Sequence, residues 1–431
     1  MRIEGATVVI DGATVRAAPL HIDDGRIGSA LPDGPVDVID ASGCVVTAGL
    51  INAHHHLLQS AFRTLPGTRF AVMSDWLAQM SAAYRRLHVD PDLGAAAARV
   101  GLAEGLLCGV TTVADHHLTW PDGIDPVELA GATIASAAGV GARLVFVRGT
   151  ARDDPATAAE SIAAIHGKYL PGTRDGVSDD GRLQLAVGPS GVHADGPETF
   201  VALREVATSL GLRRRTQANE QVDVAIAADR YGCRPLELLD EWGWLEPGVT
   251  VAHLCEVTDG EVELLAARGV TATHAPGCDV PMGWGVAPVA ALLRAGVPVG
   301  MGTSGGGSND GGHLLADARL AMQVSGLVGD PVSGRTLLGM CTEGSALGLG
   351  RTDIGHLRPG AAADLCIWDC GDVFDAGVVD PVEGLLWASP GRRPRDVMIA
   401  GRWVVRGGRL VSDDSRAAAR ELTALIDTRS G

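Results

Sequence analysis

Hydrophobic and polar positions along the chain fall into three textures. Residues 1–47 carry short alternating runs broken by turns, such as Ala6-Thr7-Val8-Val9-Ile10 and His21-Ile22-Asp23-Asp24-Gly25-Arg26-Ile27. Alternation of period two between turn residues predicts hairpins. From residue 48, continuous apolar runs alternate with longer Ala/Leu/Glu/Arg stretches of helical period. These runs end near His54, Asp115, Arg148, Ser190, Glu220, Glu256, Pro276 and Ser304. Eight β-then-α units over about 300 residues is the count for a (β/α)8 barrel of the TIM type. After Gly350 the hairpin texture returns in Leu365-Cys366-Ile367-Trp368, Val397-Met398-Ile399-Ala400-Gly401 and Trp403-Val404-Val405, and Ser415 to Ile426 predicts a final helix. Neither strand-rich end is long enough to hold a good core alone. The expected α/β architecture is therefore a barrel over residues 48–355, with a small β-sandwich domain built from residues 1–47 plus 356–431.

Composition narrows the partners. The 431 residues are 46% hydrophobic and carry a net charge of −17, with 35 Lys+Arg in no long run. That charge argues against nucleic acid or an anionic membrane surface and favours a small-molecule ligand. Eight cysteines are scattered without a paired spacing, the pattern of reduced thiols in a cytoplasmic enzyme. The N-terminus lacks the apolar core of a signal peptide. No stretch of about 18 uncharged apolar residues predicts a membrane span.

Chemistry in such a barrel sits at the C-terminal ends of the strands. There the sequence places His54 and His56, Asp115 with His116 and His117, Arg148, Gln217 with Glu220, His253, His274, and the loop Ser304 to Asp310. His54 and His56 are spaced i, i+2, so on a strand they face the same way and can share one target. His253, after Val249-Thr250-Val251-Ala252, is a candidate ligand or general acid/base. Glu220 is a carboxylate at the mouth that could shuttle protons beside imidazoles. One of Asp115, His116 and His117 is expected to line the pocket while the others bond loop backbone, and His274 reads as structural. Trp76 and Trp284 are candidate walls for a flat ligand. Cys255 and Cys278 sit in no nucleophile motif.

These residues resemble the amidohydrolase superfamily over nearly the whole chain. Thr47-Ala48-Gly49-Leu50-Ile51-Asn52-Ala53-His54-His55-His56 is similar to its first-strand motif Pro-Gly-Leu-Ile-Asn-x-His-x-His, with Ala48 at the proline. Leu357 to Leu365 is similar to its return into the β-sandwich. Thr111 to His117, Met282 to Pro288 and Gly305 to Gly312 resemble the triazine hydrolase and 8-oxoguanine deaminase branch. The resemblance implies one zinc on the first-strand pair, a fifth-strand histidine and an eighth-strand aspartate, assisted by a sixth-strand histidine and a fifth-strand glutamate. His54, His56, His253 and Glu220 match. Gln217 stands at the fifth-strand ligand and Ser304 at the eighth, a pair of weak zinc donors. Arg215, i−2 from Gln217, shares that strand's inward face where several relatives carry histidine, and it would repel a dication.

The expected activity is hydrolytic deamination or displacement on a purine, pterin or triazine-type ring, with a degenerate metal site. Glu220 and His253 would be catalytic, and His54 and His56 would hold any zinc. Arg215, Gln217, Asp115, His117, Trp284, Ser304 and Asn309 would contact the substrate. Relatives of this kind are commonly homodimers. Two alternatives stay open: a metal-free descendant catalysing a non-hydrolytic step on a similar heterocycle, and a non-catalytic binding protein.

Overall fold

A computed structural model describes residues 1–11, 14–30, 35–412 and 414–430. Eight parallel strands run round the barrel: Leu50–His56, Val110–His117, Arg143–Thr150, Leu183–Pro189, Arg213–Ala218, Val249–His253, Thr271–His274, and an eighth broken into Val299–Met301 and Ser304–Gly305. Ser304 pairs with His55 and Gly305 with His56, which closes the eighth strand onto the first. Strands covered on both faces read as unbroken apolar runs, which is why the sequence showed them so plainly. All eight end within three residues of the predicted positions, with Glu220 and Glu256 in the loops just beyond their strands.

Inside the barrel, Ile51, Ala114, Val145, Val147 and Ala186 pack with Ala346 and Leu349 of the helix Ser345–Leu349. That helix packs across the N-terminal end of the barrel.

Strands from both chain ends share one seven-stranded sheet, in which Cys44–Ala48 pairs antiparallel with Leu365–Asp369. Trp368 is fully buried there and donates from Nε1 to Thr47 Oγ1 at 2.9 Å. A separate four-stranded sheet is drawn wholly from the N-terminal segment. The final helix runs Ser415–Ser430 and packs on the barrel helix Pro91–Leu107 through Leu422 and its neighbours. Among the described residues, no helix is long and apolar enough to cross a membrane.

A buried ion pair ties the barrel's base to the chain's return. Arg143, first residue of the third strand, meets Asp364 in a fork with contacts of 2.6 and 3.0 Å, both side chains 2% exposed. Asp364 also accepts from the Ala400 amide. Breaking one half of such a pair strands a buried charge at a cost of about 3–5 kcal/mol. Asp364→Asn is therefore expected to lower the free energy of unfolding by about that amount in a urea titration; a loss under about 1 kcal/mol would show that the pair does not clamp the two parts.

Candidate active site

The barrel mouth opens into a cavity of about 850 Å³, lined by His56, Asp115, His116, His117, Gln217, Glu220, His253, Trp284 and Ser304 among others. Strand ends on all sides deliver these groups, and several do so through unusual backbone. Asn219, His253, Leu254 and Ser304 have φ between 53° and 73°, the left-handed region that non-glycine residues rarely hold. Such conformations persist where surrounding structure over-determines them, and they cluster at functional sites. Close approach matters too. A Cβ on Gly302 would lie 2.7 Å from both Cβ and the carbonyl oxygen of His54, so only glycine lets the eighth strand seat against the first.

Carbonyl partners assign the imidazole protons, because a carbonyl can only accept. His56 Nδ1 donates to His116 O at 2.7 Å, His116 Nε2 to Gly188 O at 2.8 Å, and His117 Nε2 to Thr119 O at 3.0 Å. The Gln217 side chain lies beside His56 and raises its proton affinity, and its Nε2 donates to Ser190 O at 2.9 Å. His54 lies beneath, its ring centroid 4.9 Å from that of His56 and 5.1 Å from that of His253. The Nε2 atoms of His54 and His253 are both buried without a partner.

Two carboxylates face His253. Asp279 Oδ1 is 2.8 Å from its Nδ1 and Glu220 Oε1 is 3.8 Å away. Burial alone would drive the proton off His253, but the Glu220 and Asp279 charges prevail and raise its pKa. Glu220 is itself raised, mainly by burial. Asp115 is raised to about 7 by burial and accepts from the Leu57 amide at 2.8 Å. By contrast, burial first, and then the crowding of His56, His253, His116 and Arg215 around it, hold His54 far below its ordinary value.

Most of the expected site residues meet in this cavity, and three do not: His54 beneath it, Asn309 and Arg215. Asn309 lies outside the lining and donates to Thr303 O and Asp317 Oδ2, both at 2.8 Å, so it anchors the loop after the eighth strand. Arg215 does point into the barrel, while Arg214 points out toward Trp244 and Glu246. Yet Arg215 sits below the cavity floor, 2% exposed, donating to the carbonyls of Ala53 and Gly348 and to Thr273 Oγ1. Neither Glu220 nor Asp115 is bonded to it. Asp115, His116 and His117 all line the cavity and all bond backbone, rather than dividing those tasks. Trp76 and Trp284 form one wall, edge to face at 5.3 Å. His274 is buried outside this cavity.

Sequence reading missed Asp279 and the pair His193–Asp223, whose contact is 3.2 Å. A visible signal existed for the first: Asp279 is the lone acid in the apolar run Pro276–Met282 after the seventh strand.

Zinc, which the resemblance implies, asks for three or four nitrogen, sulfur or carboxylate donors. His54 and His56 answer that description. Gln217 and Ser304 do not: the amide is already engaged with Ser190 O, and the hydroxyl is a weak donor. Among the described residues, the one group of three or more His, Cys, Asp or Glu with mutually close donor atoms is His253, Cys278 and Asp279, within 4.8 Å of one another. Two of its members already satisfy each other. Of the donor set that the resemblance implies, His54 and His56 are present, while Gln217 and Ser304 do not fit a zinc ion.

Gly302→Val is expected to cost about 1–3 kcal/mol of stability by overpacking against His54, read as a fall in melting temperature. Gly139→Ala, in the open surface of the helix Pro126–Val140, is the matched control and should show no loss. Equal behaviour of the two would mean the strand contact at His54 is not tight.

Comparison with known proteins agrees with the architecture. Residues 45–404 match the amidohydrolase family. The 8-oxoguanine deaminase of Pseudomonas aeruginosa is 32% identical over 434 residues, covering 95% of each chain. The 5-methylthioadenosine/S-adenosylhomocysteine deaminase of Natronomonas pharaonis is 32% identical over 429 residues, 98% of this chain and 96% of that one. The crystal structure of atrazine chlorohydrolase from Arthrobacter aurescens, complexed with zinc, superposes with a TM-score of 0.91 at 33% identity over 99% of both chains. With the family model matched over residues 45–404 and relatives of 32% identity spanning nearly the whole chain, the chain is a member of the amidohydrolase family.

Proposed function

We propose that this protein hydrolyses a nitrogen heteroaromatic ring of the purine, pterin or triazine type, releasing an exocyclic amine or other leaving group. The observation that carries this reading is the meeting of Glu220 and His253, 3.8 Å apart, in a deep cavity walled by Trp76 and Trp284. Aromatic walls suit a flat ring. A buried carboxyl of raised proton affinity suits exchange with a ring nitrogen near neutral pH. The deaminases and the chlorohydrolase among its relatives support the substrate class.

In this reading water adds to an amidine-like ring carbon. Glu220 takes the proton lost by water and delivers it to the adjacent ring nitrogen. That leaves a tetrahedral carbon bearing hydroxyl and amine. His253, held as imidazolium by Asp279 and Glu220, gives a proton to the departing amine and recovers one from the hydroxyl as the carbonyl forms. The carbon–nitrogen bond breaks, and the net change is one water consumed and one amine released. His253 therefore orients and donates; it is not the base that draws the first proton from water.

Turnover of a panel of ring amines and ring halides, read as ammonia, amine or halide release, tests the reading. Glu220→Gln should lower kcat about 10²–10⁴-fold, while binding of the same ring, read by quenching of Trp76 and Trp284 fluorescence, survives. Undiminished turnover in Glu220→Gln would remove the proposed proton route. A panel without any turnover would remove the activity.

A further inference from the structure

Arg215 is a buried charge without a counter-charge. Its three acceptors are neutral, two backbone carbonyls and the Thr273 hydroxyl, and no carboxylate pairs with it among the described residues. Guanidinium cannot readily shed its proton, so the charge stays. The place it occupies is specific. Its Nη2 donates to the carbonyl of Ala53, the residue before His54, so the charge lies directly under the first-strand pair. Above that pair, the Gln217 side chain lies beside His56 and is tied to Ser190 O by its Nε2. Beside it, Ser304 offers a hydroxyl in place of a carboxylate. Three changes around one point thus remove two donors and add a fixed positive charge.

We infer that this cavity works without a bound dication, and that the Arg215 guanidinium supplies the positive charge beneath the His54–His56 floor. The inference rests on reading the cavity as the active site, but not on the identity of the ring. A unit positive charge a few ångströms from a divalent ion is repulsive by more than thermal energy, even at the effective dielectric of a protein interior. The same charge is attractive to electron density accumulating on a substrate held over His54 and His56. Arg215 touches neither the cavity nor the ring, so its role is electrostatic positioning rather than contact.

Zinc itself is the probe. The full chain, expressed with zinc in the medium and dialysed without chelator, is expected to carry well under one zinc per chain by plasma emission. Added ZnCl₂ should give no saturable calorimetric binding and no rise in melting temperature. Gln217→His alone restores a donor but keeps the guanidinium. Arg215→Met combined with Gln217→His removes both obstacles, and should bind zinc at least about tenfold more tightly than the single variant. Should the Met variant fail to fold by circular dichroism, Arg215→His with Gln217→His carries the same comparison. One zinc per parent chain surviving dialysis would overturn the inference, as would equal zinc affinity in the single and double variants. A zinc-free protein that turns over no ring would remove the proposed activity and leave this inference standing. A zinc-loaded protein that does turn one over would do the reverse.

Discussion

An arginine that cannot lose its proton lies in the middle of this barrel with only neutral oxygens to meet it. Everything at the mouth is arranged above that charge. Strands supply the Ala53 carbonyl and the Thr273 hydroxyl, and the helix Ser345–Leu349 supplies the Gly348 carbonyl, that make burial tolerable. A buried charge is costly unless hydrogen-bonded, and these contacts give the guanidinium dipoles in place of a counter-ion. The consequence reaches upward: His54 and His116 are both made poorer proton acceptors by it, on top of their burial.

Negative charge is concentrated on the other side of the cavity. Glu220, Asp279 and the more distant Asp223 raise the proton affinity of His253 against its own desolvation. One imidazole is thus held cationic while its ring neighbour 5.1 Å away is held neutral. Two histidines of identical chemistry acquire opposite roles from their surroundings. That is the usual way a barrel mouth separates an acid from a base. The left-handed backbone at His253 and Ser304 belongs to the same economy of space, since extended strands would carry these side chains past the cavity.

Relatives named as acting on purines, pterins and triazines share this frame at about one-third identity or slightly below. What differs here is local. Against the pattern that the resemblance implies, the first-strand pair, Glu220 and His253 match, while Gln217 and Ser304 stand at the other donor positions and Arg215 lies beneath them. A fold that anchors its chemistry on separate strand ends allows such change, because each position can vary without disturbing the strand that carries it.

By itself the sequence determined the barrel, the joining of both termini in one sheet, and the strand ends on which His54, His56, Glu220 and His253 stand. Continuous apolar runs announce parallel strands because both faces are buried, and period two tells which residues share a face; Arg215 was placed inward because it lies two residues from Gln217, which the resemblance puts at a ligand position. Only the tertiary structure decided depth. Inward-facing residues on one strand sit in successive layers, so Gln217 reaches the cavity while Arg215, two residues earlier, lies under its floor. The same limit hid Asp279 and the Asn309–Asp317 contact. Partners on different strands and loops are joined by closure of the barrel, and spacing along one segment carries no record of what the next strand brings beside it.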